Sequence, residues 1–95
     1  MNRVTNDDLR AIVARINRLT CSPLDSYTGR IANVGNYHLD GAYGGWALYR
    51  MANESGGVSD VLRIGHVSKR ELQGAMFAFI AGLETAQAFP NQRSA

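Results

Sequence analysis

The glycines of this chain are concentrated in its middle, and this limits where long helices can form. Eight of the ten glycines lie between Gly29 and Gly65, and the segments on either side show helical periodicity. Glycine is unfavourable inside helices and frequent in turns. A chain of 95 residues has room for one domain. We therefore expect a helix at each end and short strands with tight turns between them.

The first segment has the pattern of an amphipathic helix. Thr5 and Asp8 resemble a capping box at its start, with aspartate in the place of glutamate. Pro23, preceded by Ser22, ends it, because proline cannot continue the helical hydrogen bonds. Its apolar residues recur on one face: Leu9, Ile12, Val13, Ile16 and Leu19.

The last segment predicts a second helix, which begins at a Ser68-x-x-Glu71 capping box. Its apolar stripe contains Leu72, Ala75, Met76, Phe79, Ile80 and Leu83. The opposite side also lacks charge, since Glu84 is the only charged residue between Glu71 and Pro90. A helix that is apolar nearly all round is expected to be covered on two sides. The second side of this helix is expected to be covered either by the rest of this chain or by another subunit. The candidate residues for self-association are Gly74, Phe77, Ala78 and Ala81.

Three strands are predicted between the helices, at 36–40, 46–52 and 61–64. Residues 41–45 are expected to form a hairpin loop between the first two strands, and residues 30–34 an additional edge strand. Alternation places Tyr37 and Leu39 on one face of the first strand, opposite to His38 and Asp40. The predicted fold is α+β with the order α-β-β-β-α: a three-stranded antiparallel meander with two helices packed on one face.

Composition is that of an ordinary globular domain, with 45% hydrophobic residues, 19% charged residues and a formal net charge of +2. Residues 1–95 are expected to form a single domain with an ordered core of about 5–89 and a tail at 90–95. The single cysteine excludes an internal disulfide and favours a reducing compartment. The polar N-terminus and the lack of a long apolar run predict neither a secretory signal nor a membrane span. We expect a cytoplasmic protein.

Catalytic and metal sites are not indicated. Cys21, His38 and Asp40 are the residue types of a thiol triad, but Cys21 follows a predicted helix C-terminus, where the helix dipole disfavours a thiolate. The two histidines, His38 and His66, are far apart in sequence and have no metal-ligand spacing. We expect a protein that is not an enzyme and that has no cofactor and no structural metal.

Aromatic residues are dense around the predicted hairpin. Aromatic faces beside arginine serve base stacking and protein hot spots, although they also build small cores. Neither face of the second strand is purely apolar, so some of these rings are expected to be exposed and available to a partner. One possibility is a nucleotide held by Tyr43, Trp46 and Arg50. The candidate ligand- or partner-binding residues are Tyr37, His38, Tyr43, Trp46, Tyr49 and Arg50.

The loop into the second helix is a candidate anion site, because free backbone donors at a helix N-terminus attract phosphate or carboxylate groups. Solvated basic residues of a first helical turn are the alternative. The candidate residues are Gly65, His66, Ser68, Lys69 and Arg70. From about 37 to 83, the order of elements and this basic helix start resemble a double-stranded RNA-binding domain. Gly44-Gly45-Trp46 stands where that family has a Gly-Pro-x-His loop, and a charge of +2 is low for a phosphate-driven binder.

A second resemblance covers most of the chain, from about 8 to 84. Residues 36–45 (NYHLDGAYGG) and 65–72 (GHVSKREL) look like a group of small phage and prophage proteins. This resemblance implies a context, an accessory protein made in the cytoplasm of an infected bacterium, and no catalytic residue follows from it.

These observations together predict a small non-enzymatic accessory binding protein. We expect a homodimer that acts on a host protein or on a small anionic or nucleotide ligand, and no contact with a membrane. A nucleic-acid-binding module is the alternative. It would use His66, Lys69, Arg70 and the arginines of the first helix.

Overall fold

A computed structural model describes residues 3–88 of the chain. Strands β3, β4 and β5 form one antiparallel sheet in that order, and β1 and β2 form a separate two-stranded sheet. The α+β class is confirmed and the three-stranded meander is present, but the second small sheet was not predicted. The elements are α1 (Asn6–Leu19), β1 (Tyr27–Thr28), β2 (Ile31–Ala32), β3 (Tyr37–Ala42), β4 (Gly45–Met51), β5 (Val58–Asp60) and α2 (Lys69–Ala88).

Helix α1 begins at the predicted capping box. The Thr5 amide donates to Asp8 Oδ2 at 2.9 Å, and the Asp8 amide donates to Thr5 Oγ1 at 3.1 Å. Two backbone donors at the helix start are thereby satisfied by local sequence alone. The apolar stripe lies inward, with Leu9 and Ile16 fully buried, and the helix ends at Leu19. The prediction for this segment is confirmed.

Helix α2 also begins where the sequence predicts. Ser68 Oγ accepts a hydrogen bond from the Glu71 amide at 3.2 Å, which fixes the first turn. Its side against the core contains the buried residues Leu72, Met76 and Ile80.

The two helices are joined by polar contacts near one end of the core. Arg15 donates to Glu84 at 2.8 Å, and the Gln87 side chain donates to the Leu19 carbonyl at 2.7 Å. Both helices pack against Leu48, which is fully buried at the centre of β4. The core cluster is formed by Leu9, Ile12, Val13, Ile16, Leu48, Leu72, Met76 and Ile80.

The β3–β4 hairpin is tighter than predicted. Ala42 pairs with Gly45, so the connection consists of Tyr43 and Gly44 alone. Both residues have positive φ, at 54° and 74°, which is the requirement of a type I′ turn, whose twist matches that of the flanking strands. The predicted five-residue loop at 41–45 is wrong, because its outer residues belong to the strands.

The third strand lies earlier in the chain than predicted. Strand β5 is Val58–Asp60, paired from Met51↔Val58 to Tyr49↔Asp60, whereas the prediction placed it at 61–64. The Asp60 carboxylate accepts hydrogen bonds from the amides of Arg63 and Gly65, both at 3.1 Å. These bonds turn the chain directly after Asp60 and end the strand.

The predicted edge strand at 30–34 is a strand only at Ile31–Ala32, and it does not extend the main sheet. It pairs with β1 in a small hairpin. The Ala32 amide donates to the Glu54 carbonyl at 3.1 Å, so this hairpin is attached to the turn between β4 and β5.

The remaining predictions concern the chain ends and membranes. The predicted tail at 90–95 lies outside the described residues. Within residues 3–88, neither helix is both long and apolar enough to cross a membrane.

Candidate functional site

The aromatic residues around the hairpin are divided between the two faces of the main sheet. The register pairs Tyr37 with Arg50 and Gly41 with Trp46, and these residues share the face that carries Leu48 and the helices. His38 pairs with Tyr49 on the opposite, helix-free face. The sequence alternation predicted this division. It also separates Tyr43 from Trp46 and Arg50, so the predicted nucleotide-stacking trio is not brought together.

On the helix-covered face, the aromatic side chains take part in the packing. The Tyr37 ring lies 5.9 Å from that of Phe79, and the Arg50 guanidinium lies 5.8 Å above the Tyr37 ring. The Lys69 ammonium lies 5.9 Å from the Trp46 ring. Arg50 and Lys69 are therefore held beside aromatic faces as cation–π partners.

On the helix-free face, four rings form a continuous strip. The ring centroids are 5.6 Å apart for Tyr43 and His66, 5.9 Å for Tyr49 and His66, and 6.2 Å for His38 and Tyr49, each pair edge to face. His66 Nε2 forms a 2.7 Å hydrogen bond with Asp40 Oδ2. His66, predicted within the anion loop, thus joins three members of the predicted aromatic set.

The electrostatics of the helix-free face are negative. Partial burial and then the carboxylates of Asp40 and Asp60 raise the pKa of Tyr49 above its ordinary value. Partial burial lowers the pKa of His38, although Asp40 and the Asn36 backbone act in the opposite direction. The Tyr49 phenol and the His38 imidazole are therefore neutral at pH 7.

The candidate anion loop is partly occupied by the chain's own groups. The Gly65 amide donates to Asp60, and Ser68 Oγ is bonded to Glu71 in the helix cap. Lys69 lies against Trp46, while Arg70 is exposed at the first turn of α2. The structure thus does not gather the five predicted anion-site residues around one open position.

A groove of about 570 Å³ runs between α1 and the edge strand β3. Its wall is formed by Arg10, Val13 and Arg18 of α1, and Leu24 and Trp46 contribute apolar surface. Among these five, the sequence singled out Trp46 as a candidate in the aromatic set, and Arg10 and Arg18 only under the nucleic-acid alternative. The signal that could have indicated the groove is Asn17, a polar residue on the apolar side of an amphipathic helix.

Asn17 is buried and hydrogen-bonds the edge of β3 as a neighbouring strand would. Its side-chain amide donates to the Tyr37 carbonyl at 3.0 Å, and its oxygen accepts from the Tyr37 amide at 2.8 Å. Backbone groups along an antiparallel strand point alternately toward and away from the partner strand. The backbone amide and carbonyl of Tyr37 point away from β4. The backbone groups of Leu39 and Gly41, two and four residues further along the strand, therefore point the same way. These groups lie on the open edge of β3 and have no hydrogen-bond partner within residues 3–88, and Leu39 also lines the groove.

Two buried polar atoms beside the groove also lack partners among the described residues. They are Asn6 Oδ1 and His38 Nδ1, and both residues line the groove. Buried polar atoms are nearly always hydrogen-bonded, so each of these two exceptions calls for a physical explanation.

The predicted self-association residues lie on the outer side of α2. Gly74, Phe77, Ala78 and Ala81 are all exposed, with 48% of Phe77 accessible. Within residues 3–88, the rest of the chain therefore leaves this outer side of α2 uncovered.

The thiol triad is not assembled. Cys21 is exposed directly after α1, and Asp40 is bonded to His66 rather than to His38. In the part of the chain that the structure describes, no group of three or more His, Cys, Asp or Glu side chains is arranged to hold a metal ion.

Comparisons with family models, curated proteins and solved structures gave no match to this chain. The resemblances to small phage proteins and to double-stranded RNA-binding domains therefore stay predictions.

Proposed function

We propose that this protein is a non-enzymatic binding module that takes up an extended segment of another protein as an additional strand beside β3. The observation that carries the proposal is the open backbone of Leu39 and Gly41 on the edge of β3, where Leu39 lines a groove of about 570 Å³. Strand addition to an exposed sheet edge is a common mode of peptide recognition. Main-chain hydrogen bonds supply affinity, and the walls of the groove supply specificity.

The charges on the α1 wall favour an acidic segment. Arg10 and Arg18 both line the groove, and they are eight residues apart, or about 12 Å along the helix axis. A strand advances about 3.3 Å per residue, so two carboxylates about four residues apart match this distance. Residues separated by an even number lie on the same face of a strand, so both can point toward α1.

Apolar surface lies between and beside these charges. Leu24 is 61% exposed although it is a large hydrophobic residue, and Val13 and Trp46 line the same groove. The segment therefore carries an apolar side chain between its two acidic ones.

The test uses a labelled decapeptide of alternating threonine and valine, with glutamates at the valine positions four and eight. Binding is measured by fluorescence anisotropy and by amide NMR of the protein. We expect chemical-shift changes and slower hydrogen exchange at Leu39 and Gly41. The Arg18→Glu variant should bind at least about fivefold more weakly, because the charge pair becomes repulsive.

The matched control is Arg30→Glu, which changes the charge equally at an exposed residue outside the groove. The same peptide with lysines in place of glutamates tests the sign of the charge. Equal binding of both peptides, equal effects of both variants, or no change at Leu39 and Gly41 would each overturn the proposal. So would preferential binding of duplex RNA at low salt, which would support the nucleic-acid alternative.

The resemblance to small phage proteins supports a host protein in the bacterial cytoplasm as the source of the segment. Capture of such a protein from bacterial lysate by the wild-type chain, with loss of capture by Arg18→Glu, is the expected result. The proposed function requires no cofactor, no metal and no membrane.

We also propose that the module is a homodimer formed through the outer side of α2. This side exposes Phe77 and has no charged residue between Glu71 and Glu84. It therefore offers an apolar surface that a second copy can cover, without a charge that would select a different partner.

Light scattering at micromolar concentration tests the dimer. We expect about twice the monomer mass of 10.4 kDa, and a monomer for Ala78→Glu. The control is Ala11→Glu, which adds the same charge to an exposed position of α1. A wild-type monomer throughout, or dissociation by both variants, would contradict the proposal.

A further inference from the structure

The helix-free face of the main sheet has a feature that the proposed strand addition does not use. Tyr43, His66, Tyr49 and His38 form a strip of rings across it. Beneath the strip the sheet is closed, since Ala47 and Met51 of the same face are at most 2% exposed. The strip is therefore a surface for docking rather than the mouth of a cavity.

The rings and carboxylates of this face are accessible to a partner. Tyr43 at the hairpin turn is 96% exposed, and 41% of the Asp40 side chain is accessible. Tyr49 lies farther from the turn than Asp40, opposite His38, and is partly exposed. A tyrosine at a positive φ in a two-residue turn is uncommon, and its ring at this position contributes no burial to the chain's own core.

The sign of the charge selects among possible ligands. Asp40 and Asp60 both lie on this face, at the register positions of Ala47 and Tyr49. Burial first, and then both carboxylates, raise the pKa of the Tyr49 phenol, so this ring lies within the negative field of Asp40 and Asp60. A phosphate or nucleotide would be repelled here, whereas a cation is attracted both by the carboxylates and by the negative faces of the tyrosine rings.

We propose that this face binds a basic segment of a partner protein, with an arginine or lysine side chain placed against Tyr43 and Tyr49 and paired with Asp40. His66 is a positioning residue, because its 2.7 Å bond to Asp40 Oδ2 fixes the carboxylate beside the rings. Of the four rings in this strip, His38 alone also lines the groove at the β3 edge, and binding in that groove uses backbone groups and arginines instead. A partner with an acidic strand and a basic segment could occupy both.

The experiment is an NMR titration with the blocked tripeptide Gly-Arg-Gly. We expect shifts at the rings of Tyr43 and Tyr49 and at the Gly44 amide, and a dissociation constant that rises with salt. Tyr43→Ala should weaken binding about three- to fivefold, the range for an exposed cation–π contact. Tyr43→Phe should keep it within about twofold, since the ring face remains.

Tyr27→Ala is the matched control, since Tyr27 is another exposed tyrosine, 51% accessible on β1. Uridine monophosphate and the blocked tripeptide Gly-Glu-Gly are the anionic probes. The proposal is overturned if Tyr43→Ala binds as wild type does, if Tyr27→Ala weakens binding equally, or if either anion binds more tightly than the arginine peptide. Arg18→Glu separates the two proposals, because it should impair only binding in the groove.

Discussion

The two faces of the three-stranded sheet differ in what the same strands present. On the helix-covered face, Leu48 and its neighbours are sealed under α1 and α2. On the helix-free face, Asp40, Tyr49 and His66 interact with each other and with solvent. The alternation of a strand thus assigns adjacent residues to opposite roles. Leu48 and Tyr49 are neighbours in sequence, yet one holds the fold together and the other is available to a partner.

Because the two faces differ in this way, stability and binding can be changed separately in so small a chain. The main core cluster lies on the helix-covered face, and the two proposed peptide-binding sites depend on the other face and on the β3 edge. This separation would be contradicted if substitutions in the core cluster changed only binding, or if substitutions in the proposed sites changed mainly the free energy of unfolding.

The largest expected effect is that of Leu48→Ala. Removing a fully buried side chain at the point where both helices meet should cost about 2–5 kcal/mol of unfolding free energy. Tyr43→Ala on the exposed turn should change it by no more than about 0.5 kcal/mol. Urea unfolding followed by circular dichroism measures both. If Leu48→Ala does not fold, Leu48→Met should still fold and lose less than about 1.5 kcal/mol. Equal losses of unfolding free energy for Leu48→Ala and Tyr43→Ala would contradict the assignment of stability to the helix-covered face.

The second effect concerns the edge of β3. Asn17→Ala removes both bonds to Tyr37 and leaves a partly buried amide and carbonyl without partners, at a cost of about 1–3 kcal/mol. The aspartate of Asn17→Asp can still accept a hydrogen bond from the Tyr37 amide, but it cannot donate one to the Tyr37 carbonyl. Its loss of unfolding free energy should therefore be smaller than that of Asn17→Ala. The reverse order in urea unfolding would show that Asn17 acts through packing alone.

The third effect compares two glycines. A Cβ on Gly45 would lie 2.9 Å from the His66 carbonyl carbon, where β4 and the loop before α2 meet through the Trp46↔Val67 bridge. Gly45→Ala should therefore cost about 1–3 kcal/mol. Gly74 has no atom within 4 Å of such a Cβ, and Gly74→Ala in the helix should stabilise by about 0.5–1 kcal/mol. Equal changes of melting temperature for Gly45→Ala and Gly74→Ala would be inconsistent with the close approach of Gly45 to the His66 backbone.

Strand β3 itself has protected and open amides in alternation. The amides of His38 and Asp40 point toward β4, and those of Leu39 and Gly41 point away from it toward the open edge. In the free protein, hydrogen exchange should be at least about tenfold faster at Leu39 and Gly41. Uniform protection along the strand would mean that the edge is already covered.

The smallest expected effect is the pH dependence from His38. Its folded pKa is lowered, so the folded state favours the neutral ring. The associated stability is present above the ordinary value of 6.5 and is lost as the pH falls through the lower folded value. The His38→Gln variant should therefore lose less stability than wild type between pH 7.5 and pH 5, as measured by urea midpoints. An equal loss would mean that His38 titrates alike in both states.

The helices were predictable because their signals are local. Thr5 with Asp8, and Ser68 with Glu71, indicate where each helix begins, and the spacing of apolar residues gives the buried side. The faces of β3 and β4 followed from alternation for the same reason. The exact ends of the strands did not follow from alternation, because they depend on hydrogen bonds to residues outside the strand. Leu62 and Ile64 favour a strand by composition, but the bonds of Asp60 to the following amides turn the chain there.

The candidate sites were only partly predictable. Tyr43, Tyr49 and His38 were identified by their clustering in the sequence, but His66 and Asp40 meet across 26 residues. The groove was missed because its features depend on such distant pairs. Asn17 and Tyr37 are 20 residues apart, and no local pattern shows that a helical amide can substitute for a strand.

The position of Asn17 has a consequence for how the protein avoids aggregation. An open edge of β3 could recruit identical chains one after another into an extended assembly. Asn17 blocks this at Tyr37, and the tight turn at Tyr43 and Gly44 ends the strand on the other side. Only Leu39 and Gly41 remain for pairing. An edge this short can hold one guest strand, but it is too brief a template for the propagating growth of a fibril.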